Sequence, residues 1–263
     1  MNSKKILFIA LLIGMTLGCR AFSKAFDKNG VLLVIEVESI EANPEQTTGQ
    51  TAIILKNRLD ALGVNGAISK TLPNRLEVKI YDTDNLERTK QILLAESRFE
   101  IRKIVCPPYP APVQTFPTKE AALESLGGKI PAERKILVFA DRETNDSKKW
   151  IIAENPPIVD GNEIRDAKAR SRSGSDIDYS IFFSFKPAGA QKFGEWTGAN
   201  ISNYLAIVLN DEVKSTAFIK SRISDSGVID GRFTRQQAED LALVMKSGYM
   251  PAPLKLLEEK RFE

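Results

Sequence analysis

Chemistry near neutral pH most often starts from histidine, and this 263-residue chain has none. That excludes Ser-His-Asp and Cys-His catalysis and every histidine-ligated metal site. Cys19 and Cys106 are the only cysteines, too few for a disulfide framework or a four-cysteine zinc site. No GxGxxG, P-loop, GxSxG or CxxC pattern occurs. What remains are close carboxylates: Asp82-Thr83-Asp84, Asp176-Ile177-Asp178 and Glu258-Glu259. Two facing acids can hydrolyse a glycosidic bond. Acids on a solvated face or at a helix cap need no such role, and Asp84 stands where a cap is expected. The expectation is a protein that is not an enzyme, with no catalytic residue, no metal and no cofactor.

Binding is the other chemistry. Arg165, Lys168, Arg170 and Arg172 form a basic run that suits anionic lipid, an acidic chain or simply a solvated loop. Tyr179, Phe182, Phe183 and Phe185 share one predicted strand. Strand alternation cannot bury all of them on one face. Ile181, Phe183 and Phe185 are assigned to the core. Phe182 lies either under a helix or in an exposed patch that binds unfolded segments. With 37 basic against 34 acidic residues, net +3, nothing argues for nucleic acid as a partner.

The N-terminus reads as an address. Lys4 and Lys5 precede an apolar run over 6–17, then Gly18 and Cys19. Twelve helical residues span about 18 Å, short of a hydrocarbon core of about 30 Å. Residues 1–18 are therefore expected to be a secretory signal of the lipoprotein type. The segment Thr16-Leu17-Gly18-Cys19 resembles a bacterial lipobox, which implies lipidation at Cys19 and a tether over 19–26. The body would then hang outside the cytoplasm on a lipid anchor, on the inner or the outer membrane. Cys106 would remain as one leftover thiol, either inert or in an intermolecular disulfide.

The elements that must position these residues are punctuated clearly. Strands are expected at 31–37, 67–71, 75–80 and 98–102. Helices are expected from an Asn43-Pro44 cap to Gly63 and from Asp84 to Ala95. This β-α-β-β-α-β order is that of the ferredoxin-like unit, a four-stranded antiparallel sheet under two helices. Five prolines between Pro107 and Pro117 then make a stiff linker, with Pro107 and Pro108 as a candidate hinge. A mixed region follows: a short helix at 118–126, strands at 136–140, 150–153 and 179–185, a mobile loop over 165–178, a helix at 187–196, and a hairpin of 204–209 with 213–219. Thr234-Arg235-Gln236-Gln237 is a capping box that opens a helix closed by Gly248. Leu254–Leu257 can add a strand to an existing sheet. The fold class is α+β: a ferredoxin-like base with an inserted mixed α/β head.

Several spaced blocks resemble the first periplasmic domain of SecD, an accessory subunit that works beside the Sec protein-export channel. They are Ile54 to Gly63, Ile158-Val159-Asp160-Gly161, Leu205-Ala206-Ile207-Val208-Leu209, Ile229-Asp230-Gly231 and Ser247-Gly248-Tyr249-Met250-Pro251-Ala252-Pro253-Leu254. The resemblance implies a base over 27–106 and 233–263, and a head over 107–232 that engages emerging polypeptide. Phe218 stands where that family usually carries proline, which makes it a second candidate for polypeptide contact beside Phe182. The resemblance also implies later membrane helices that carry proton movement. The 263 residues do not include them, so a stand-alone, lipid-anchored version is expected. Its expected role is assistance to protein export, with unfolded secretory polypeptide, Sec channel components and the membrane as partners. The alternative is an envelope interaction or scaffold module that kept the fold without an export role.

Overall fold

The computed structural model describes residues 30–38, 43–81, 83–96, 98–140, 148–174 and 176–262. The signal segment, Cys19, the tether and Asp82 lie outside the described residues. In chain order the elements are β1 (Gly30–Val37), α1 (Pro44–Ala61), β2 (Asn65–Leu72), β3 (Arg75–Tyr81), α2 (Leu86–Leu94), β4 (Phe99–Lys103), α3 (Lys119–Ser125), β5 (Arg134–Ala140), β6 (Lys148–Glu154), β7 (Val159–Asp160), β8 (Ile164–Ser171), β9 (Tyr179–Phe185), α4 (Pro187–Ala199), β10 (Tyr204–Leu209), β11 (Glu212–Phe218), β12 (Ser226–Phe233), α5 (Arg235–Ser247) and β13 (Leu254–Phe262).

Local sequence explains most of these boundaries. The Asn43 side chain accepts from Gln46 N at 3.2 Å, with Pro44 at the first helical position. The cap of α2 is Asn85, whose side chain accepts from Arg88 N at 2.9 Å; it is not Asp84. The Thr234–Gln237 capping box forms in both directions. Asn210 and Asp211 both take positive φ, at 51° and 63°, and turn β10 into β11. A two-residue turn of that kind matches the natural twist of a hairpin.

The expected ferredoxin-like unit needs one correction, at its last strand. Its sheet has the order β13-β1-β3-β2, every pair antiparallel. Leu33 and Ile35 of β1, Leu76 and Val78 of β3, and Leu55 and Leu59 of α1 are completely buried between sheet and helices. The place beside β1 belongs to β13, not to β4. The reason lies in the faces of the two strands. In β4, Phe99 and Ile101 are buried on one side, and Glu100 and Arg102 on the other. A strand buried on both faces belongs inside a larger body, not at the edge of an open two-layer sheet. β13 is rich in exposed charge, the composition that an edge strand tolerates.

β4 instead joins a six-stranded sheet of order β6-β5-β11-β10-β4-β7. A third sheet has the order β12-β9-β8. The core between them holds Phe99, Ile101, Ile181, Phe183, Phe185, Phe193 and Ile207. Helix α5 turns Ala238, Ala242 and Met245 into that same core. Residues 164–171 are therefore a strand, where a mobile loop is expected from sequence. Strand β12 has no counterpart among the sequence expectations. Gly227 in β12 lies opposite Phe183, and a Cβ there would sit 2.4 Å from the ring.

One side chain ties the base helices to α5. Arg58 of α1 is fully buried. It donates to the carbonyls of Ile92, Leu93 and Ala95 at 2.9, 2.7 and 2.7 Å, and to Ser247 Oγ at 3.1 Å. Three of those acceptors are the orphan carbonyls at the end of α2. Burial pulls the guanidinium down to about 10, so it stays charged at neutral pH. Nearby, Arg88 of α2 pairs with Asp240 of α5 at 2.7 Å. Among the described residues, no helix is long and apolar enough to cross a membrane.

Candidate polypeptide-binding face

Alternation along β9 divides its aromatic side chains. Ile181, Phe183 and Phe185 are buried, and Phe182 points to the opposite face with 36% of its surface exposed. Phe182 is therefore exposed rather than covered by a helix. Phe182 lies in register with Val228 of β12, also 36% exposed, and with Lys168 of β8. The guanidinium of Arg170 rests 4.7 Å from the Phe182 ring centre, a cation–π contact. A recess of about 430 Å3 opens here, between Asp166, Lys168, Arg170, Phe182, Ser184 and Val228. Among the described residues, both flanking strands, β8 and β12, have β9 as their strand neighbour and so form the two edges of their sheet.

The charges on this face are unequally engaged. Asp166 is held by Lys168 at 2.9 Å and by Lys246 of α5 at 3.1 Å. Hydrogen bonds from these two ammonium groups lower its carboxyl to about 2. Asp230 accepts from the Ser180 hydroxyl at 2.6 Å and lies 3.6 Å from Arg172. Arg170 has no carboxylate partner among the described residues.

Phe218 sits elsewhere, on β11, and is half-buried. Its ring meets Tyr109 at 4.5 Å and Tyr204 at 5.7 Å. Tyr204 Oη donates to Ala111 O at 2.9 Å, and Tyr109 N donates to Ser202 O at 2.8 Å. Phe218 thus clamps the proline-rich segment against the six-stranded sheet. Pro107 and Pro108 are exposed, with the chain pinned on both sides: Val105 N donates to Ile152 O at 2.8 Å ahead of them, and Tyr109 follows. The structure does not bring Phe182, Phe218 and the two prolines together into one site. The clamp was invisible in sequence because Tyr109 and Phe218 lie more than a hundred positions apart.

Cys106 is half-buried, and burial pushes its thiol up, away from the reactive thiolate. Of the close acids, Glu258 and Glu259 do not face one another. Glu258 and Glu259 lie opposite Val34 and Leu33, on alternate faces of β13, and pair with Lys260 and Lys90. Among the described residues, no cluster of three or more acids and cysteines could hold a metal ion.

This architecture has known relatives. The family model described as SecDF, P1 head subdomain matches residues 136–252, a stretch that includes α5. Protein translocase subunit SecD of Aquifex aeolicus is 31% identical over 240 residues, covering 89% of this chain and 44% of that protein. SecD of Koribacter versatilis is 29% identical over 212 residues, covering 78% and 37%. The chain thus spans less than half the length of these relatives. The crystal structure of SecDF in its super-membrane-facing form matches with a TM-score of 0.67 at 26% identity, over 89% of this chain and 30% of that one. A structure described as a membrane component SecDF that enhances protein export shares the fold, with a TM-score of 0.62 at 24% identity. Across most of its length the chain is therefore similar to the first periplasmic domain of SecD, and residues 136–252 match the model of that domain's head subdomain.

Proposed function

We propose that this chain assists protein export from outside the cytoplasm, as a non-enzymatic, membrane-anchored SecD-like protein that binds unfolded polypeptide emerging from the Sec channel. The observation that carries this reading is an exposed aromatic, Phe182, on an open sheet face flanked by two edge strands, within a SecD-type head. An extended segment would pair its main chain with β8 or β12 and place apolar side chains over Phe182 and Val228. Lipidation at Cys19 would keep the face near the channel and raise its effective concentration there. The frame is a base over 27–106 and 233–263 and a head over 107–232, with β4 crossing into the head's sheet. Pro107 and Pro108 mark the bend where the clamped segment leaves that sheet.

Photocrosslinkers placed at positions 182, 228 and 218 during secretion test the reading. Crosslinks to a translocating chain are expected from 182 and 228 and not from 218, which lies under Tyr109. Recovery of neither secretory chain nor channel subunit from the head would overturn the export role and leave the envelope-scaffold alternative.

A further inference from the structure

The outer face of β8-β9-β12 is charged asymmetrically, and this bears on which segments it accepts. Strand alternation places Lys168 and Arg170 on the same side, about 7 Å apart, with Arg172 following two residues on. The two acids on that face are already occupied. Asp166 is held between Lys168 and Lys246, and Asp230 takes the Ser180 hydroxyl beside Arg172. Arg170 is left with an aromatic ring as its neighbour and no carboxylate among the described residues. A guanidinium stacked on Phe182 keeps its edge N–H donors free for a bidentate partner. The recess beside Phe182 and the unmatched positive charge are therefore the same place.

We propose that this face selects extended polypeptide segments by charge: it takes those in which an apolar side chain is followed closely by a carboxylate, and disfavours those rich in lysine or arginine. An apolar side chain fills the recess between Phe182 and Val228. A carboxylate two residues further along points to the same side of an extended chain and meets Arg170. The strand-shaped surroundings favour a polypeptide over a lipid headgroup, because β8 and β12 are the outer strands of their sheet among the described residues, on either side of the recess. This inference rests on the polypeptide-binding reading and adds selectivity to it.

Three fluorescent peptides test it on the full chain. They share one spacing of phenylalanines and carry glutamate, glutamine or lysine at the intervening sites. Binding is followed by anisotropy at low ionic strength and at about 0.5 M salt, where charges are screened beyond a few ångströms. The expected result is glutamate over glutamine over lysine, with about two- to fivefold per step at low salt, the range of an exposed ion pair. The order should flatten at high salt and in Arg170→Gln, and persist in Arg170→Lys. Phe182→Ala should weaken all three peptides alike. Equal affinity for the three peptides, with the Phe182→Ala loss intact, would overturn charge selection and leave polypeptide binding standing. Binding of none of them would overturn both. Tight binding to phosphatidylglycerol vesicles without binding to the glutamate peptide would assign the face to lipid and overturn the proposal.

Discussion

Arg58 shows what a single buried charge does in this protein. Its guanidinium ends α2 by taking three of that helix's last carbonyls, and it reaches Ser247 at the end of α5. Replacing it with methionine fills the volume and leaves those carbonyls without donors. The expected cost is about 1–3 kcal/mol for each buried carbonyl left unsatisfied. Urea unfolding of Arg58→Met measures it. Asp166 gives a prediction in pH. Its carboxyl is lowered from 3.8 to about 2 in the folded chain by Lys168 and Lys246. A depressed acid contributes stability above its unfolded value, and that contribution disappears as pH falls through the folded value. Stability should therefore decline between about pH 4 and pH 2, and Asp166→Asn should flatten that part of the curve. Acid titration followed by circular dichroism checks the Asp166→Asn variant against the parent.

At the level of elements, the sharpest finding is the exchange of β13 for β4. Strands, helices and the hairpin were legible in the sequence because caps and alternation are local signals. Pairing partners were not, because β1 and β13 are joined across more than two hundred residues. Strand β8 hid behind its charges: IRDAKARS turns only Ile164, Ala167 and Ala169 inward, two of them small. Strand β12 hid behind Gly227 and Gly231, which interrupt its alternation. The side on which Phe182 points follows from period two, while its exposure depends on whether another element covers it. Removing residues 254–263 should strip hydrogen-exchange protection from β1 amides and spare those of β4 and β10. Loss of protection in β4 as well would mean that the sheets are not separate cooperative units. The aromatic clamp predicts a second local effect. Phe218→Ala should cost about 1–2 kcal/mol through two lost ring contacts and open residues 107–116 to proteolysis.

Across the whole molecule, the candidate face and the base are on different sheets, joined by the cluster around Arg58 and Arg88. Arg88→Gln removes the α2–α5 ion pair, whose side chains are 37% and 27% exposed. Alone it should cost less than about 1 kcal/mol. Combined with Arg58→Met, it should split a single thermal transition into two, resolved by calorimetry. A single transition in the double variant would show that the shared core of α5 suffices to couple the sheets. The pairing of Gly30 with Phe262 carries a further meaning. Only glycine fits there, because a Cβ would meet the Phe262 ring and the Ile80 carbonyl oxygen at 2.5 Å. The start of β1 and the finish of β13 therefore leave the base side by side. Tension drawn through both would load their ladder one rung at a time, as a zipper, so this pairing should part at a lower force than strands loaded along their length.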